Sequence, residues 1–117
     1  MAYNELLSAR IANALESRGY EYEAKIMMGG ICYMVDGKMC IGVHEDKVMG
    51  RIGPDAYADA LSIDGCEKMM FTKREMKGFV FVHRETYDTD EQLNHWVDLC
   101  LAYNPLAKSS KKKKKKA

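Results

Sequence analysis

"IMMGGICYMVDGKMCIGVHEDKVMGRIG", residues 26–53, decides the fold, because over this stretch the apolar residues recur every second position. Asp36-Gly37 stands between two apolar runs and is the strongest short hairpin signal in the chain, since both residues tolerate positive φ. Glu45-Asp46 marks a second turn, and Gly29-Gly30 a third turn or a bulge. From about Glu23 to Ile52 the pattern predicts an antiparallel meander.

The same stretch holds five of the nine methionines, two of the four cysteines and one of the three histidines. These are ligands that a soft metal such as Cu(I) prefers. A two-residue turn at Asp36-Gly37 tests that reading. It pairs Val35 with Lys38, Met34 with Met39, Tyr33 with Cys40 and Cys32 with Ile41. Side chains alternate along a strand, so Cys32, Met34, Met39, Ile41 and Val43 share one face. Tyr33, Val35, Lys38, Cys40 and His44 share the other, joined by Lys47, Met49 and Arg51 beyond the second turn. Cys32 and Cys40 are thereby split between faces, which rules against a shared metal or a disulfide. The uniformly apolar first face is expected to lie beneath helices, and the mixed second face to meet solvent or a partner.

Working outward, Asn4 can cap a helix over "ELLSARIANALESRG", with Leu7, Ile11, Ala14 and Leu15 as its buried stripe and Gly19 at its end. After the meander, "GPDAYADALSI" opens a short helix with Pro54 at its first position, and Tyr57 and Leu61 would face the sheet. "EKMMFT" and "KGFVFVH" read as strands, the second aromatic and β-branched throughout. Thr89-Asp90-Glu91-Gln92 is a capping box for a last helix whose stripe is Leu93, Trp96, Val97, Cys100 and Tyr103, ending at Asn104-Pro105. The predicted order is α-βββ(β)-α-β(β)-α, a two-layer α+β domain with helices packed on one face of an antiparallel sheet.

With 117 residues, 47% hydrophobic and 30% charged, the chain suffices for one stable core without staples. "MAYNELLSAR" lacks the basic and apolar regions of a secretory signal, so the cytoplasm is the expected compartment. The four cysteines form no CxxC pair and fit reduced, buried thiols. Net charge is unevenly placed. Residues 1–107 carry 11 basic against 17 acidic side chains, whereas residues 108–117, "KSSKKKKKKA", add seven lysines and no acid. We divide the chain there into a domain, 1–107, and a disordered lysine-rich tail, 108–117.

Catalytic motifs are absent. Gly29-Gly30 opens no phosphate-binding loop, no serine sits in a G-x-S-x-G elbow, and His44, His83 and His95 read as surface histidines. No enzyme activity, cofactor or metal is expected. Two binding surfaces remain. The mixed sheet face offers Tyr33, Lys38, His44, Lys47 and Arg51 to a protein or an anionic ligand. The tail offers Lys111, Lys112, Lys113, Lys114, Lys115 and Lys116 to nucleic-acid phosphates, with salt-sensitive affinity. A small-ligand or enzyme module is a third alternative and would need a deep polar pocket.

Taken in order, "AYNELLSARI", "KIMMGGICYMVDGKMCIGVHED", "MGRIGPDAY", "MKGFVFV" and the closing tryptophan-bearing helix resemble the N-terminal domain of the TfoX/Sxy family over residues 2–107. Met28 stands where relatives often have phenylalanine. The resemblance implies a small α+β fold with helices over one face of an antiparallel sheet. It also implies a regulatory protein: full-length TfoX/Sxy proteins regulate natural competence and act with the catabolite activator protein at promoters. They carry a second domain where this chain has lysines. The "RNA methyltransferase" label of some stand-alone relatives finds no glycine-rich cofactor loop here. The resemblance supplies no catalytic residue, and the partners it implies are transcription machinery or a regulator.

Overall fold

A computed structural model describes residues 3–27, 29–71 and 73–107. The lysine run, the first two residues, Met28 and Thr72 lie outside them. The elements in chain order are α1 (Glu5–Ser17), β1 (Glu23–Met27), β2 (Gly30–Val35), β3 (Lys38–His44), β4 (Lys47–Arg51), α2 (Pro54–Leu61), β5 (Cys66–Phe71), β6 (Arg74–Val82), α3 (Arg84–Tyr87) and α4 (Asp90–Tyr103). A 3-10 turn, Asn104–Leu106, follows. The strands form one antiparallel sheet in the order β1-β2-β3-β4-β6-β5. This is the α+β architecture and element order that the sequence predicts, with the single-turn α3 added before the last helix.

Local chemistry explains the boundaries. Asn4 accepts from the Leu7 amide at 3.0 Å and caps α1. Thr89 and Gln92 form the full capping box of α4. Asp36 and Gly37 both take positive φ, 56° and 76°, as a type I′ hairpin requires. The Gly29-Gly30 pair serves backbone geometry in two ways. Gly29 turns the chain at φ 77°, and a Cβ on Gly30 would stand 2.0 Å from the Val43 carbonyl. Helix α3, absent from the sequence reading, is a single turn held by tertiary bonds. Thr86 donates to the Asp64 carbonyl at 2.6 Å, and Trp96 Nε1 donates to the Thr86 carbonyl at 3.1 Å.

The helices cover one face of the sheet. Leu7, Ile11 and Leu15 of α1, Tyr57 and Ala60 of α2, and Leu93, Trp96, Val97 and Cys100 of α4 pack there with Val43, Val48, Val80 and Val82. Leu101 is buried on α4, while Tyr103, expected in the stripe, is half-buried at its end. The buried Asn104 donates to the Val35 carbonyl at 3.2 Å and ties the last turn to β2. No described helix is long and apolar enough to cross a membrane.

The hairpin register differs from the sequence reading. Val35 faces Lys38 and Met34 faces Met39 as expected, but Tyr33 then pairs with Ile41 and Cys32 with Gly42. Cys40 is one extra residue on β3, a bulge that a turn-based register cannot see. Beyond it every β3 side chain changes face. Ile41 and Val43 join Tyr33, Val35 and Cys40 beneath the helices. Cys32, Met34 and Met39 occupy the other face, which no helix among the described residues covers. The expectation that the methionine face lies beneath the helices is thus reversed. Cys32 and Cys40 are on opposite faces, as expected, and all four cysteines are free and buried.

Candidate functional site

On the helix-free face, Cys32, Met34, Met39, Met49 and Met69 form a second buried cluster. Unbranched thioethers make this possible, because flexible, polarisable chains can lie flat across the strands and bury one another. Met27, Met76, Phe79 and Phe81 pack over the cluster and remain partly exposed. Phe79 and Phe81 alternate along β6, which pairs Arg51 with Phe79 and Met49 with Phe81.

Cations lie on these rings. Lys47 Nζ is 5.0 Å from the Phe81 centroid, and the Arg51 guanidinium is 5.2 Å from Phe79 and 6.0 Å from Tyr103. The His44 imidazole stacks on Phe81, with centroids 5.6 Å apart and planes 25° apart. Its Nδ1 is buried beneath the Gly29 turn, with no hydrogen-bond partner among the described residues. Lys25 pairs with Cys32 across β1 and β2 and so belongs to the same face. Glu23 and Glu67 are carboxylates on that face, with Glu67 held by His83 at 2.5 Å, and Glu45 pairs with Lys47 Nζ at 3.3 Å.

This arrangement divides the five residues assigned to one mixed face. His44, Lys47 and Arg51 come together on the helix-free side. Tyr33 does not join them. It is buried beneath α1, where its hydroxyl lies 2.5 Å from Ser8 Oγ and donates to the Ser8 carbonyl at 3.1 Å. Lys38 pairs with Val35 on the helix side and reaches Asp36 at 3.7 Å. The separation follows from the bulge, since Tyr33 and Lys38 precede Cys40 in the chain whereas His44 follows it on β3. Phe79 and Phe81 were missed as site residues. The alternation in "GFVFV" marks them as a pair on one face, but only the return of β6 between β4 and β5 places them beside Lys47 and Arg51.

The thiols are not poised for chemistry. Burial pushes Cys32 and Cys66 up to about 11 and Cys40 to about 12, the last against an opposing pull from Arg51. Cys100 is raised well above the ordinary thiol range by burial and by neighbouring Cys40. Thiols so shifted stay protonated and are poor nucleophiles and metal ligands at neutral pH. The groove between α1 and α4, about 360 Å³, is lined by Arg10, Asn13, Ser17, Asp90 and Asn94, and Arg10 spans it to Asp90 at 3.2 Å.

The family model for the TfoX N-terminal domain matches residues 14–103. The chain belongs to the TfoX N-terminal domain family. That match takes in all six strands and most of the helical layer, hence the whole helix-free face. No curated protein and no solved structure matches the chain.

Proposed function

We propose that this domain is a non-enzymatic, cytoplasmic regulatory module that acts by binding another macromolecule across its helix-free sheet face. The setting is the one its family suggests, transcription and competence, with transcription machinery or a regulator in the complex. The observation that carries this reading is the composition of that face. Aromatic rings and an arginine over a methionine floor are the residue types enriched where proteins meet partners. Two further points support it. Among the described residues no hydrogen bond joins a serine or cysteine to a histidine, the pairing that activates a nucleophile. The thiols are also held protonated by burial.

A competence-gene transcription reporter tests the reading. The double charge reversal K47E/R51E should lose reporter activation, while E91K/D98K on the helical layer should retain it. Equal activity of the sheet-face variant and the wild type, at equal protein level, would sink the proposal. Co-purification with purified RNA polymerase or a catabolite-activator-type regulator then identifies any protein in the complex.

A further inference from the structure

We infer that the occupant of the helix-free face is single-stranded nucleic acid, with Phe79 and Phe81 as a stacking platform and Lys47, Arg51 and Lys25 as phosphate contacts. The inference rests on the reading of that face as the docking surface and names what docks.

The domain as a whole is acidic, which counts against an extended nucleic-acid surface, but its charge is segregated by layer. Helices α1–α4 carry eight carboxylates and two arginines, a net −6. The six strands carry seven cations and three carboxylates, a net +4. An anionic strand is therefore repelled by the helical layer. Of the strand cations, Lys25, Lys47 and Arg51 lie on the helix-free face while Lys38 and Lys68 lie on the helix side.

The chemistry of the outer skin points the same way. The methionines and cysteine of the floor are almost fully buried, so a partner touches chiefly what lies over them. In that layer Phe79 and Phe81 lie beside Met27 and Met76, with Lys47 and Arg51 against the rings. Basic side chains interleaved with aromatic ones on an open sheet are the elements that hold single strands, because every base offers a π-face and every nucleotide a phosphate. His44, stacked on Phe81, extends the planar platform toward the Gly29 turn. Lys47 and Arg51 already lie against the rings, within reach of the phosphates of a strand stacked there.

Spacing selects single strand over duplex. Residues two apart on a strand are separated by about 7 Å, roughly twice the 3.4 Å spacing of stacked bases in a duplex strand. Bases seated on Phe79 and Phe81 must therefore be splayed, as an extended single strand allows and a duplex does not.

Fluorescence anisotropy on the full chain tests this, with a labelled oligothymidylate about 12 nucleotides long and a duplex of equal length, at about 150 mM salt. The lysine tail is present in every protein compared, so its contribution is a common background. The wild type should prefer the single strand. Phe81→Leu keeps apolar volume but removes the ring, and should weaken single-strand binding about fivefold or more. K47Q/R51Q, two changes outside the core, should weaken it and flatten its salt dependence. Equal affinity of wild type, Phe81→Leu and K47Q/R51Q for the single strand overturns the inference, as does equal affinity of the wild type for duplex. If oligonucleotide binding is unchanged while K47E/R51E still loses the reporter, the face takes a protein: this inference falls and the proposed function stands. If both readouts are unchanged, both fall.

Discussion

The two faces of the sheet bury side chains by different means. Beneath the helices the strands present mainly β-branched residues, Val35, Ile41, Val43, Val48, Val80 and Val82, joined by Tyr33. These side chains are stiff, lose little rotamer freedom on burial, and fit against a rigid helical layer. The helix-free face has no second layer among the described residues and uses Cys32, Met34, Met39, Met49 and Met69. Long, flexible chains can fold over one another and then be roofed by Phe79 and Phe81. A face with its own roof needs no helices, and it leaves rings and cations at the surface for a partner. The contrast predicts that the helix side is the rigid, costly one to damage.

The largest effect is expected at Trp96. It is almost fully buried between α4 and the sheet, and its indole N–H is bonded to Thr86. Trp96→Ala should cost about 3–5 kcal/mol, measured as a lowered denaturant midpoint at unchanged slope. A loss no greater than that of a truncation in the methionine cluster would erase the difference between the faces.

Next in size is an alkaline effect that draws on both faces, since Cys32 lies on one and Cys40 and Cys66 on the other. An unfolded thiol ionises near pH 9, while burial delays these three to about 11 or 12. The unfolded state therefore holds fewer protons than the native state in that window. The stabilisation is fully present below pH 9 and is lost as pH rises. By pH 10 each thiol should remove about 1 kcal/mol, read from unfolding curves at stepped pH. Cys32→Ala should reduce that dependence, and a flat profile above pH 9 would mean that the thiols are not held protonated.

The two faces also explain what the sequence could and could not reveal. Period-two alternation, the Asp36-Gly37 turn and the Thr89–Gln92 box are local signals, so the meander and the last helix were legible. The bulge at Cys40 was not, because a bulge is set by how two whole strands settle against a third element and leaves no turn residue behind. One extra residue reversed which face lies beneath the helices and moved Tyr33 away from His44. Lys47 and Arg51 kept their shared face because the two-residue turn at Glu45-Asp46 keeps their register with His44. Phe79 and Phe81 needed the strand order, which no local pattern carries.

Tyr33 gives a smaller test of the corrected register. Its hydroxyl is buried against Ser8 on the helix side. Ser8→Ala removes one of its two hydrogen-bond partners and should cost about 1–2 kcal/mol. In a double-mutant cycle with Tyr33→Phe the two losses should be less than additive. Full additivity would return Tyr33 to the open face, with the original register.

The smallest effect belongs to the methionine floor. Met39→Leu conserves volume but gives up the thioether's freedom to bend, and its neighbours Met34 and Met49 can re-pack around it. We expect a cost of about 0.5 kcal/mol, inside the range of volume-conserving core changes. Single-strand binding should be nearly unchanged, because the substituted side chain lies below the aromatic skin and not in it. A cost rivalling that of Trp96→Ala would show a floor as rigid as the helix side, and flexible thioethers would no longer explain how this face stays closed without a second layer. A small cost combined with weakened oligonucleotide binding would instead show that the floor sets the tilt of Phe79 and Phe81, and so shapes the site from below.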